Sequence, residues 1–197
     1  MNELERIARE AATLRARGEA YLLATIVRVS GSSYRRPGAR MLVAGERWLA
    51  GCVSGGCLEG DVLLRGAHRC KDGPVIATYD SASDDGEAYR VGLGCDGVVD
   101  LLLEHVPAGA DHEALSFARA CFAAEMTGTL VTVIAGSLPV GTRLAVGPGT
   151  APAIGVLAEL ARGATGVVER DGVTALVERI APSPQLFILG SGHDAAP

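Results

Sequence analysis

The sequence predicts an α/β protein, a mixed α+β domain followed by the opening of a dinucleotide-type unit. Three observations carry this. Helix-spaced apolar positions alternate with β-rich runs along the first 180 residues. A glycine-rich loop joins a short strand to a helix at residues 51–57. A G-x-G-x-x-A string follows an apolar strand at residues 190–195.

Leu4, Ile7, Ala8, Ala11 and Leu14 fall on one helical face, and Gly18 suits the stop, so residues 3–16 read as a helix. Residues 21–29 are β-rich and apolar and read as a buried strand. A polar loop, Gly31 to Gly38, precedes a hairpin of residues 39–43 and 47–50. Leu58, Val62, Leu63 and Ala67 carry a helix to about Cys70, and residues 74–79 form the next strand. A second glycine-cysteine loop, Gly92 to Gly97, feeds a strand over 98–106. Residues 111–126 read as a helix capped by Asp111 with Glu113 in its first turn. Strands follow at 128–135 and 143–146, a short helix at 153–162, and a hairpin of 165–169 and 173–180 turning at Asp171-Gly172. These elements group as residues 1–107, a middle segment 108–181, and a linker with first strand and glycine-rich loop, 182–197. The unit opened by Gly190, Gly192 and His193 is expected to be incomplete, since the second strand and ribose-binding acid do not follow.

Composition narrows the function. Net charge is −5 and aromatics make up 4%, which disfavours nucleic-acid binding and base stacking. No apolar run approaches the roughly 20 residues that cross a bilayer. No export signal is visible, and five widely spaced cysteines do not form a disulfide framework, so a reduced cytoplasmic setting is expected. Between Arg28 and Arg47 lie five arginines and one acid, Glu46. That surplus fits a small-anion site or a solvated basic face.

The loop Ser54-Gly55-Gly56-Cys57-Leu58-Glu59 concentrates the candidate chemistry. Backbone N–H groups at a helix start attract anions, and paired glycines let a ligand come close. A thiol there is placed where the helix N-terminus favours its anion, which makes Cys57 a candidate soft ligand or nucleophile. The alternative is a tight turn with a small packed cysteine. Cys52 and Cys57 have C-x4-C spacing, which suits neither a zinc pair nor an iron–sulfur pattern. Cys95 sits in the second glycine loop, where Asp96 opposes an anionic ligand. Cys70 and Cys121 lie within helices, and His68, His105 and His112 lack metal-ligand spacing.

The strings Gly31-Ser32-Ser33-Tyr34-Arg35-Arg36-Pro37-Gly38-Ala39-Arg40-Met41, Ser54-Gly55-Gly56-Cys57-Leu58-Glu59, Gly92-Leu93-Gly94-Cys95 and Gly190-Ser191-Gly192-His193 together resemble the XdhC/CoxI family of molybdenum-cofactor maturation proteins. The resemblance runs from about residue 14 to the end. It implies a Rossmann-like C-terminal domain and an accessory factor rather than a turnover enzyme. Such a factor binds the molybdenum cofactor, as molybdopterin or its dinucleotide form. It protects the cofactor and inserts it into apo xanthine dehydrogenase or a related molybdenum hydroxylase, with a cysteine desulfurase as a further partner. On that basis Arg36 and Arg40 are expected at the cofactor's phosphate side, with Ser54, Gly55, Gly56 and Cys95 around it. Cys57 would lie near the molybdenum and Glu59 would hold the loop. A fragment of a nicotinamide-dependent oxidoreductase and a ligand-free docking module are the competing readings. An exposed strand at 186–189 predicts a homo-oligomer.

Overall fold

The computed structural model describes residues 2–80 and 97–184. Two antiparallel sheets form its frame. The first has five strands in the order β3-β2-β1-β5-β4, and the second has four in the order β7-β6-β9-β8. The chain runs α1 (Glu3–Ala16), β1 (Tyr21–Gly31), β2 (Arg40–Ala44), β3 (Arg47–Gly51), α2 (Cys57–Arg69), β4 (Val75–Asp80) and β5 (Gly97–Val106). It continues through α3 (Glu113–Ala123), β6 (Gly128–Gly136), β7 (Arg143–Val146), α4 (Val156–Ala161), β8 (Gly166–Arg170) and β9 (Val173–Ile180).

The central strand explains the first sheet. β1 is buried at every position from Tyr21 to Val27, because helices cover both faces of its sheet. Side chains alternate along a strand. Leu22, Ala24 and Ile26 therefore pack with Leu58 and Val62 of α2. Tyr21 and Leu23 point the other way, into Ile7, Ala8, Ala11 and Leu14 of α1 and Leu115 of α3. The β1–β5 pairing shifts register between Ile26 and Arg28, and past this bulge β1 leaves the core. β1 nevertheless runs on to Gly31, two residues further than its apolar pattern indicates, because β5 keeps pairing with it.

In the second sheet Val131 and Val133 pack on Leu160 of α4, while Leu130 meets Phe117 and Cys121 of α3. The two sheets meet through Val27 and Leu102 on one side and Ile134 and Leu176 on the other. Two polar joints accompany this contact. Arg40 of β2 makes a double hydrogen bond to Glu178 of β9, at 3.0 and 2.7 Å. Glu104 of β5 accepts from Arg143 Nη2 of β7 at 2.5 Å and lies 3.1 Å from His112 Nε2.

Two helices differ from the sequence reading. His112, not Asp111, is the N-cap of α3 and makes no side-chain cap. Asp111 is engaged by Arg15 at 3.1 Å and Arg119 at 2.7 Å, and accepts from the N–H of His112. α4 begins only at Val156, because Gly155 precedes it with φ +91°. Among the described residues no helix is long and apolar enough to cross a membrane.

Candidate functional site

The 51–59 loop is tied together from inside. Gly51 ends β3 at φ +70°, and a Cβ there would stand 2.0 Å from the Arg40 carbonyl oxygen. Only glycine lets the chain turn so close to β2. Glu59, in the first turn of α2, reaches back and accepts from the N–H groups of Val53 at 2.9 Å and Ser54 at 2.7 Å. The Ser54 hydroxyl donates to the other Glu59 oxygen and accepts from the N–H groups of Gly56 and Leu58, at 3.0 and 3.1 Å. This is a variant of the capping box in which the serine stands two residues before the N-cap, Gly56, while the glutamate keeps its usual place in the first turn. Burial alone would raise the Glu59 carboxyl, but the hydrogen bonds from Ser54 and the backbone outweigh it and hold the group below the ordinary carboxylate range.

On the outer side of this loop is a cleft of about 390 Å³. Gly51, Cys52, Ser54, Gly55 and Gly56 form one wall. Glu3 and Arg6 from α1, Tyr34 and Arg35 from the 32–39 loop, and Trp48 from β3 complete it. Tyr34 and Trp48 are exposed, and the Trp48 indole N–H donates to the Gly51 carbonyl at 2.6 Å, fixing that ring at the rim. Arg35 donates through Nε to the Cys52 sulfur at 3.1 Å, makes a second, shorter contact through Nη2, and binds Glu3 at 2.9 Å. The Cys52 contact raises the Arg35 pKa, partial burial opposes it, and the Glu3 charge adds to it, so the guanidinium is a permanent cation at the cleft.

With aromatic edges, two arginines, a thiol and a glycine wall, the cleft suits a small anion that carries a flat ring or a soft atom. Residues 14–80, which span β1 to β4 and the whole glycine loop, match the model of the XdhC and CoxI family. Over that segment the chain is similar to the XdhC and CoxI family. A probable xanthine dehydrogenase component from Bacillus subtilis (strain 168) is 38% identical over 89 residues, 45% of this chain and 27% of that protein. The crystal structure of a xanthine dehydrogenase from Bacillus halodurans superposes with a TM-score of 0.64 at 25% identity. That likeness covers 92% of this chain and 53% of the other. The chain thus spans about a quarter of the curated relative and about half of the solved one.

The structure divides the family strings in ways the sequence did not reveal. Cys57, expected at the ligand, does not line the cleft. Its sulfur lies 3.6 Å from the Ser54 hydroxyl and packs beside the α2 core, while Cys52 takes the place on the wall. Arg40 is only 4% exposed, and its charge is met by Glu178 rather than by open space. Arg36 faces a separate cleft of about 510 Å³ with Pro37, Thr165, Gly166 and Arg179. The Gly56 N–H, expected as a ligand donor, is already given to Ser54, whereas Gly55 stays exposed on the wall. Cys95, Gly190, Gly192 and His193 lie outside the described residues. Among the described residues no group of three or more His, Cys, Asp and Glu side chains is placed to hold a metal ion.

The cleft-lining side chains that pattern reading did not single out are Glu3, Arg6, Tyr34, Arg35, Trp48 and Cys52. Arg35 was visible as the neighbour of Arg36, but the chain bends at Tyr34 and Arg35 and turns at Pro37–Gly38, so the two side chains line different clefts. Cys52 was set aside because its spacing fits no metal pair, a test that does not address a thiol acting alone beside a cation.

Proposed function

We propose that this chain is a molybdenum-cofactor-handling factor in the maturation of a xanthine-dehydrogenase-type hydroxylase, and that the 390 Å³ cleft is where the cofactor is held. The observation that carries the reading is the shared wall. The glycine loop of the family string and the arginine loop before it border one cleft, together with two aromatic side chains.

The cofactor's chemistry matches the lining. Its phosphate calls for Arg35 and Arg6, its pterin for the faces of Tyr34 and Trp48, and its dithiolene-bound metal for a soft partner such as Cys52. When bound, the cofactor supplies the redox and oxygen-transfer chemistry that the hydroxylase later uses. The residues of this chain bind it, orient it and shield it from water. The hydroxylase is the partner of this reading and molybdopterin, or its dinucleotide form, the ligand. Both relatives carry xanthine dehydrogenase in their names, which supports the choice of hydroxylase.

Trp48 is the single tryptophan of the chain, so its emission reports directly on the cleft. Added molybdopterin is expected to quench Trp48 and to remain with the protein through gel filtration. Arg35→Gln should weaken that retention several-fold. Unchanged emission with no retained pterin overturns the assignment.

A further inference from the structure

The cofactor reading leaves open how the cleft receives a ligand, and three side chains answer that. Arg35 carries five N–H donors in a fixed fork. It turns Nε and Nη2 toward the Cys52 sulfur and gives Nη2 also to Glu3, 2.9 Å away. Among the described residues Nη1 has no hydrogen-bond partner. The fork is therefore anchored at one edge and open at the other. Among the described residues Glu3 is the one carboxylate lining this cleft, against the two guanidinium groups of Arg6 and Arg35. Cys57, on the same loop, has no such arrangement and faces Ser54 instead.

Resting on the cofactor-cleft reading, we infer that Glu3, Arg35 and Cys52 form an anion-guided thiol site. Cys52 presents the sulfur that meets the soft or electrophilic end of a small anionic ligand. Arg35 takes the ligand's negative group on its open edge. Glu3 is a positioning residue that keeps the Arg35 fork beside the sulfur. The family match begins at residue 14, so this assigns a role in the site to the first turn of α1, upstream of the matched segment.

Positioning and simple charge neutralisation predict opposite signs, and a pair of alkylating probes reads the sign. Iodoacetate and iodoacetamide both react by attack of a thiolate on the same carbon, forming an S–C bond and expelling iodide. They differ in that one carries a carboxylate. At fixed pH the ratio of their rates at one cysteine cancels the fraction of thiolate and its general accessibility, and leaves the pull of nearby cations. The full chain is labelled with each reagent and the peptides bearing Cys52 and Cys57 are quantified by mass spectrometry.

In the wild type the iodoacetate-to-iodoacetamide ratio is expected to be several-fold higher at Cys52 than at Cys57. Arg35→Gln should bring the Cys52 ratio down to that of Cys57. Glu3→Gln is decisive. If Glu3 positions the fork, the Cys52 ratio falls when Arg35 is released. If Glu3 is only a counter-charge, removing it strengthens the pull and the ratio rises, which overturns the inference. Equal ratios at the two wild-type cysteines overturn it as well. The probes need no cofactor. A protein that fails to retain molybdopterin yet shows the predicted ratios loses the functional reading and keeps this one, and the reverse result separates them the other way.

Discussion

Arg35 and Arg40 lie in one loop-and-strand segment and have opposite fates. The Arg40 side chain is 4% exposed and closes a double hydrogen bond with Glu178 across the two sheets. The Arg35 side chain is 30% exposed, shares its charge with Glu3 and Cys52, and keeps one edge open on a cleft. The local surplus of positive charge is therefore not one anion site. Part of it is consumed in holding the sheets together, and part of it remains available for chemistry. What separates the two is the reach of a partner carboxylate from the second sheet, which no count of arginines along the chain reveals.

The comparison breaks most visibly at Arg40. Arg40→Ala leaves Glu178, whose side chain is 10% exposed, without its counter-charge. Stranding a buried carboxylate costs about 3–5 kcal/mol. Urea denaturation should show that loss, while the double change Arg40→Met with Glu178→Leu should recover much of it. Recovery is expected because the pair is not fully satisfied: among the described residues Arg40 Nε is buried without a hydrogen-bond partner. A single Arg40→Ala variant as stable as wild type would mean that Arg40 is free for a ligand after all.

The same contrast shows what pattern reading can reach. Every helix and strand among the described residues was legible, because hydrophobic periodicity is a local property and β1, α1 and α2 display it without interruption. The register shift at Ile26/Arg28 and the late start of α4 were not, since both follow from tertiary pairing and backbone angle. At the site, the glycine loop was visible as a string. Its internal bonding was not: that Ser54 consumes the Gly56 N–H depends on a fold-back of five residues set by Glu59. Glu3 and Arg6 were invisible for a different reason. They belong to a helix whose sequence records its buried face, and nothing in that periodicity says what lies across from its first turn.

Glu59 gives the second test, between a loop that is held and a loop that merely folds. Glu59→Gln removes the charge from a buried carboxylate that collects two backbone N–H groups and a hydroxyl. The expected cost is about 1–3 kcal/mol, seen as a lower denaturation midpoint with unchanged slope. The pH dependence has a definite sign. The folded-state pKa of Glu59 is depressed, so its contribution is complete above the unfolded carboxyl value of about 4.3 and is lost as pH falls toward the folded value. Glu59→Gln should therefore narrow its stability gap to wild type below about pH 4. Glu104, Asp61 and Asp111 are depressed as well, so an acid limb persists in the variant.

The smallest effect on stability is expected where the effect on ligand is largest. Arg35→Gln removes a pair whose side chains are 30% and 34% exposed. Pairs so open to water contribute about 0–1 kcal/mol, because solvent screens the attraction and ordering two long side chains offsets it. Thermal unfolding of Arg35→Gln should then fall within that range of wild type, with α1 still packed through Ile7, Ala8, Ala11 and Leu14, none of which depends on Arg35. Set beside Arg40→Ala, this makes a matched pair on one short stretch of chain: the same residue type, one substitution costing stability, the other costing binding. If Arg35→Gln destabilises as much as Arg40→Ala, then Arg35 also serves the frame, and the cleft's cation must be sought in Arg6.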